Sequence, residues 1–244
     1  TIDNTHPTVG TVGIAVNNAG NANNGDTVTL TFTATETIQT PTCTINDGAG
    51  NAMDNSGSMS VTNTGGNVWA CAVTTHDNDA NGAMTFSIAF SDSAGNAGTP
   101  DTTVDDGSSV TIDNTHPTLT AVGIAVDNTG NANNGDDITL TVTASEAVSQ
   151  PTCTFTSGGD AMADSSITYN NPSGNQWTCI LDVADGDTDG SVAFSVAFTD
   201  SAGNAGTAVS AVTDGSAVTV DNTHPSLSNI AMTTSNSNSA FAKS

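Results

Sequence analysis

Between residues 27 and 35 the chain alternates without a break. Val28, Leu30, Phe32 and Ala34 are apolar, and Thr27, Thr29, Thr31, Thr33 and Thr35 separate them. A period of two over this length predicts a half-buried β-strand with its threonine face turned to solvent. The same period recurs in shorter runs. Val12, Ile14 and Val16 predict a first strand, Cys43 and Ile45 a third, Met59 and Val61 a fourth, and Trp69, Cys71 and Val73 a fifth. Met84, Phe86, Ile88 and Phe90 predict a sixth strand that stops at Asp92-Ser93-Ala94-Gly95-Asn96, and Val110 with Ile112 a seventh. Asn- and Gly-rich loops separate these runs, and nowhere does an apolar stripe follow the helical period.

The whole pattern then repeats. Ile138, Leu140, Val142 and Ala144 stand for the second strand, Trp177, Cys179 and Leu181 for the fifth, and Val192, Phe194, Val196 and Phe198 for the sixth. The seam is Thr1-Ile2-Asp3-Asn4-Thr5-His6-Pro7, which returns as Thr111 to Pro117 and, with Val for Ile, as Thr219 to Pro225. Each proline fixes φ and removes an amide donor, so the chain leaves one unit extended and begins the next. The expected organisation is an array: residues 1–112, residues 113–220, then 221–244 as linker and first strand of a third, incomplete unit. Ile230 and Met232 fall at the positions of Val12 and Ile14, so that last strand opens a further domain or completes a sheet in a neighbouring subunit. Short alternating strands without helices predict an all-β protein of tandem β-sandwiches, about seven strands each.

Charge changes the picture more than length does. The chain has 25 Asp and Glu against one basic residue, a formal charge of −24. That residue is Lys243, so neither complete unit has a Lys or Arg with which to form a salt bridge. A strongly anionic surface excludes nucleic acid as a partner and argues against an anionic membrane. No apolar run approaches the roughly 20 residues that span a bilayer, so direct membrane insertion is not expected.

The four cysteines fall two per unit, Cys43 with Cys71 and Cys153 with Cys179. Neither pair forms a CxxC, and no His stands at metal-ligand spacing, so zinc is a poor reading. One disulfide per domain is the better one, and it places the protein outside the reducing cytosol. Each pair shares its strand face with core residues (Ile45 and Trp69; Phe155 and Trp177), so the bridge is expected inside, joining the sheets. Closing a loop of this length contributes about 3.5 kcal/mol by chain entropy. Two Trp, one Tyr and seven Phe serve the whole chain, so small side chains must fill most of the core.

The run from Val28 to Glu36, then Trp69, then Phe86 to Asp92-Ser93-Ala94-Gly95-Asn96-Ala97-Gly98, closing in an Ile-Asp-x-Thr-x-Pro linker, resembles the bacterial Ig-like domains. Those occur in tandem in very large secreted surface proteins and adhesins. The resemblance covers both complete units and the opening of the third. It departs at His6, His116 and His224, where such linkers commonly have a small residue, and in its Cys pairs, which many such domains lack. It implies Ig-like sandwiches at the cell surface, in adhesins, surface layers or extracellular filaments.

In a sandwich of this kind the leading linker and the loops after the second and sixth strands share one pole. Those positions hold Asp3, Glu36 and Asp92 with Asn96 in the first unit, and Asp113, Glu146 and Asp200 with Asn204 in the second. The opposite pole carries Asp77-Asn78-Asp79-Ala80-Asn81-Gly82 and Asp185-Gly186-Asp187-Thr188-Asp189-Gly190. Both open like a D-x-[DN]-x-[DN]-G calcium loop, although Ile88 or Val196 occupies the twelfth position and no helix flanks it. Carboxylates converging where no base is available need a hard cation or water, and Ca²⁺ is the expected cofactor; solvated turn residues are the alternative. At the seam between the units, Asp77 or Asp79 is a further candidate ligand. The histidines read as spacers packed on a domain end, Trp69 and Trp177 as core.

Catalysis is the class with least support. There is no nucleophile elbow, phosphate loop or H-E-x-x-H, and no basic residue to stabilise an oxyanion. The leading reading is an extracellular structural segment, a stalk, surface-layer or filament module with cation-stiffened junctions, whose partners are neighbouring domains or subunits of the same protein. The alternative is an adhesive or lectin-like module whose loops contact a glycan or surface receptor, for which Tyr169 is the one aromatic candidate.

Overall fold

A computed structural model of the chain describes residues 2–53, 59–162 and 166–233. In the first domain the strands are β1 (Val9–Val16), β2 (Thr27–Ala34), β3 (Thr42–Asn46), β4 (Ser60–Gly65), β5 (Val68–Thr74), β6 (Gly82–Ala83), β7 (Thr85–Ala89) and β8 (Thr111–Ile112). One antiparallel sheet runs β1-β2-β5-β4, and the facing layer pairs β3 with β7 and β6 with β8. With β6 and β7 counted as one interrupted strand, these are the four-stranded and three-stranded sheets of an Ig-like sandwich.

The second domain repeats the plan with β9 (Leu119–Val126), β10 (Asp137–Ala144), β11 (Thr152–Ser157), β12 (Asp160–Ala161), β13 (Thr168–Ser173), β14 (Gln176–Asp182), β15 (Gly190–Ala197) and β16 (Thr219–Val220). Its sheets run β13-β14-β10-β9 and β12-β11-β15-β16. Here the sixth strand of the alternating pattern is continuous as β15, whereas in domain 1 it is broken at Met84 into β6 and β7. The β11–β12 hairpin was not anticipated; two residues at Gly158-Gly159 turn the chain back on itself.

Alternation decides which side chains face inward, because successive residues of a strand point to opposite faces. Val28, Leu30, Phe32 and Ala34 of β2 are buried, as are Cys43 and Ile45 of β3 and Phe86 and Ile88 of β7. Each large aliphatic group so buried is worth about 1.5–3 kcal/mol relative to exposure. The threonine face of β2 is only partly wet: Thr31 is exposed, while Thr27, Thr29 and Thr33 are half-buried. The outermost strands β4 and β13 are mostly exposed and rich in Thr, Asn and Ser.

Both expected disulfides form, Cys43 to Cys71 and Cys153 to Cys179, and each links the two sheets of its sandwich, β3 to β5 and β11 to β14. The two tryptophans differ from the expectation of equal burial. Trp69 is core, opposite Phe32 on β2, but Trp177 faces the smaller Val142 and is only half-buried, its indole N–H donating to the Val148 carbonyl at 3.2 Å.

Past β16, residues 221–233 form no strand, and Leu227, Ile230 and Met232 are 86, 80 and 99% exposed. A first strand without a second has nothing to bond its backbone to. Residues 234–244, included in the reading of a third unit, lie outside the described residues.

Candidate metal centre at the module junction

Each linker begins with the same local bond. Asp3, Asp113 and Asp221 accept the backbone N–H two residues on, from Thr5, Thr115 and Thr223, at 3.0, 3.1 and 3.2 Å. Short Asp side chains favour this Asx turn, which rigidifies the approach to the proline. Immediately before that proline, the imidazole of the linker clasps the sandwich it leads into: His6 Nδ1–H donates to the Ala97 carbonyl and His116 Nδ1–H to the Ala205 carbonyl, both at 2.8 Å. The histidines are thus anchors on a domain end.

The turn after the sixth strand supplies the buried carboxylate. Asp200 accepts the N–H groups of Gly203 and Asn204 at 2.8 Å each and the Asn204 side-chain amide at 2.8 Å. Asp92 is held in the same way by the Asn96 N–H at 2.8 Å and side-chain amide at 2.7 Å. Burial works against the Asp92 charge, but the bonds from Asn96 and the neighbouring N–H groups outweigh it and hold the carboxyl below its ordinary range.

These turns bring together the residues expected to share a pole. Asp3, Glu36 and Asp92 each offer a carboxylate oxygen, as do Asp113, Glu146 and Asp200, and within each group these oxygens lie within 4.8 Å of one another. A Ca²⁺ ion takes oxygens at about 2.3–2.6 Å, so two of its ligands stand at most roughly 5 Å apart. The spacing fits the ion. In the second group, burial first, then the charges of Asp113 and Asp200, push the Glu146 carboxyl above its ordinary value. Three anions this close repel, and a proton on Glu146 or a bound cation would relieve them.

Asn96 and Asn204 stand beside these groups as donors. Asn204 Nδ2 bonds both Asp200 and the Asp113 carbonyl, the latter at 2.7 Å, and Asn96 Nδ2 reaches the Asp3 carbonyl at 3.1 Å.

The loops at the opposite pole gather differently. Asp79 accepts the His76 N–H at 2.7 Å and Asp187 the Ala184 N–H at 2.9 Å, each closing its own turn. Asp189 bonds the Asn222 N–H at 2.6 Å and the Thr223 hydroxyl at 2.5 Å, which holds its carboxyl below the ordinary range. Asn114 Nδ2 donates to the carbonyls of His76 and Asp79 at 2.9 and 3.0 Å. Among the described residues, Asp77, Asp79, Asp185, Asp187 and Asp189 belong to no convergent acidic group. The loops carrying Asp79 and Asp189 grip the outgoing linker.

Asp113 is the crossover of the junction. Its N–H donates to Ala22 of domain 1 at 2.9 Å, while its carbonyl accepts from Asn204 of domain 2. Across the same seam Asn23 Nδ2 donates to Asn204 Oδ1 at 3.4 Å. The involvement of the Asn17–Asp26 loop was missed in the sequence; its near-identical return at Asp127–Asp136 was the available signal.

No protein-family model matches this chain, and no curated protein does. Among solved structures, the titin I-band fragment I67–I69 aligns at 12% identity with a TM-score of 0.44, over 88% of this chain and 65% of that one. The Escherichia coli adhesin FdeC aligns at 15% identity with the same TM-score and the same two coverages. A marsupial T cell receptor aligns at 14% identity and a TM-score of 0.41, over 87% of this chain and 73% of that one. The chain thus spans just under two thirds of the length of the first two. No helix among the described residues is long and apolar enough to cross a membrane.

Proposed function

We propose that this chain is a segment of an extracellular structural array, a stalk, surface-layer or filament element of the bacterial Ig-like kind. Ca²⁺ bound by Asp113, Glu146 and Asp200 stiffens its junction. The observation that carries the reading is the junction itself. Asp113 bonds to both domains while its carboxylate joins two from domain 2, so an ion held there ties the linker to the sandwich it enters. The two inter-sheet disulfides support an oxidising compartment. A loop-borne glycan or receptor site has less in its favour, because Tyr169 lies on β13, half-buried against the domain 2 core.

The test is small-angle scattering and thermal melting of the whole chain in chelator, in millimolar Ca²⁺, and in NaCl at higher ionic strength. Calcium binding to the native state raises the melting temperature with free ion concentration and narrows the spread of interdomain distances. Screening by NaCl weakens repulsion without coordinating anything. Identical behaviour in chelator and calcium, or full reproduction of the calcium effect by sodium, overturns the reading.

A further inference from the structure

At the junction inside this chain, the turn Asp200-Ser201-Ala202-Gly203-Asn204 sits on the Asn18–Asp26 loop of domain 1. Besides the Asn23–Asn204 bond, the fit requires a bare backbone at Gly20, where a Cβ would stand 2.5 Å from the Ser201 carbonyl oxygen. Ala202 and Asn204 are buried. The contact is a small turn seated on an amide-rich loop.

Both halves of this contact occur again. The turn returns without change as Asp92-Ser93-Ala94-Gly95-Asn96, and the loop returns as Asn128–Asp136 with a single substitution, Thr129 for Ala19. The loop is pinned in the same way each time: Ala22 N–H donates to Thr111 and Ala132 N–H to Thr219, both at 2.8 Å, and each central Ala carbonyl accepts the linker Asp N–H, from Asp113 at 2.9 Å and Asp221 at 2.8 Å. What differs is the cover. A Cβ at Gly130 would meet only Asn128 Oδ1, at 3.8 Å, and Asn133 and Asn134 line an open cleft with Asp221 to Pro225.

We propose that the Gly130–Asn134 face of domain 2 is a docking socket for the Asp-Ser-Ala-Gly-Asn turn of a further module of this repeat, joined through Asp221–Pro225. Three features commit it to that occupant. The linker leaves the socket through the same pair of backbone bonds as at the filled junction. Beyond it, Leu227, Ile230 and Met232 take the positions of Leu119, Val122 and Ile124, of which Val122 and Ile124 are buried in domain 2, so the chain past the linker presents the apolar face of another first strand. The loop offers amides and no cation, which matches the amide of an Asn at the tip of the turn. Because socket and turn lie at opposite poles, the contact is head-to-tail and does not close on itself.

The inference rests on the array reading but not on calcium, so it is tested in chelator. The chain through Pro225 is extended by a second copy of residues 118–225, and peptide-resolved hydrogen exchange is followed with small-angle scattering. In the extended chain, the 128–136 segment becomes protected to the level of 18–26. Gly20→Val in the original chain speeds exchange of the 200–206 segment roughly tenfold by opening the seat. Gly130→Val leaves the original chain unchanged and opens the second junction of the extended one by a similar factor. An extended chain whose 128–136 segment stays unprotected, a Gly130→Val variant that leaves its second junction unaltered, or a Gly20→Val variant that leaves the first unaltered each overturns the socket. Melting of domain 2 in both Gly130 forms serves as the folding control. If the socket fills but calcium changes nothing, the cation reading fails and the docking stands.

Discussion

The leading poles of the two domains have the same chemistry and different surroundings. In front of domain 1, Asp3 is exposed and Glu36 half-buried above the buried Asp92, whereas Asp113, Glu146 and Asp200 sit where domain 1 meets domain 2. Ala94 is exposed and its counterpart Ala202 is 6% exposed; Asn96 is half-buried and Asn204 is 4% exposed. Identical turns therefore differ only in what precedes them. At the covered pole the linker carboxylate is half-buried at Asp113 where Asp3 is exposed, and burial is the first cause of the raised Glu146 carboxyl. A neighbouring domain thus brings the linker carboxylate of an ordinary acidic end under partial cover, beside two carboxylates that repel it.

The largest effect comes from separating the two bodies. Replacing Cys153 and Cys179 together by Ser removes about 3–4 kcal/mol from domain 2 through loss of the 26-residue constraint, and leaves domain 1 untouched. Trp69 and Trp177 report one domain each, so denaturant unfolding followed by fluorescence in Trp69→Phe and Trp177→Phe backgrounds resolves the two transitions. Equal loss in both domains would show that the poles do not belong to independent units.

Next in size is the buried carboxylate. Asp200→Ala strands the N–H groups of Gly203 and Asn204 and the Asn204 amide, and costs domain 2 about 2–3 kcal/mol. Asp92→Ala strands the equivalent Asn96 N–H and side-chain amide at a carboxylate that is buried just as deeply, 1% against 4% exposed, and costs domain 1 a similar amount. Matched melts of the two variants decide this; a loss for Asp92→Ala far below that for Asp200→Ala would show that the turn owes its strength to the junction and not to its own hydrogen bonds.

These contrasts show how far sequence could reach. The alternation at Val28–Ala34 and at Phe86–Phe90 specifies strands and their inner faces because the side-chain period is two whatever the fold. The Cys pairs were legible because they share a face with Ile45 and Trp69. The convergence of Asp113, Glu146 and Asp200 was legible once strand order was assumed, since loops after alternate strands emerge at one end. Burial of Ala202, however, depends on the domain 1 loop around Gly20 seated against it, and nothing in two identical pentapeptides distinguishes it from Ala94. Trp177 failed for a related reason: its cover depends on Val142 across the ladder, where domain 1 has Phe32. The linker-gripping roles of Asp79 and Asp189 rest on hydrogen bonds that a calcium-loop pattern does not encode.

Glu146 gives a smaller but sign-specific test. A carboxyl whose folded pKa exceeds its ordinary 4.5 contributes stability that is full below that value and is lost as pH rises through the folded pKa. In chelator, domain 2 should therefore gain stability as pH is lowered from 7 toward the ordinary 4.5, and Glu146→Gln should raise its melting temperature at pH 7 and flatten the profile. In calcium the sign reverses, because the variant lacks a ligand. A wild-type profile that is flat in chelator, or a variant stabilised equally in chelator and calcium, would break the link between covering and charge.

The smallest effect lies away from the junction, at a place where the domains differ in sequence. Asp137 and Asp182 face each other across β10 and β14, where domain 1 has Thr27 opposite Thr74. A shared hydrogen bond with Asp182 comes first, then burial, then the charges of Asp182, Asp127 and Asp136, and together they raise the Asp137 carboxyl above its ordinary value. The pair is stabilising while it holds a proton and repulsive once that proton leaves, so its contribution is full below the ordinary pKa and lost as pH rises. Like charges directly opposite in a sheet cost a few tenths to about 1 kcal/mol. Asp137→Thr, which installs the domain 1 residue, is therefore expected to stabilise domain 2 by about that amount at pH 7. Near pH 3.5 the gain should vanish or turn into a small loss, because the variant then lacks the Asp–Asp hydrogen bond. Salt should shrink the gain at pH 7 by screening the charges it removes. Urea unfolding of both proteins at the two pH values and two salt concentrations reads all three signs, and a gain independent of pH would assign the effect to threonine's strand preference and not to charge.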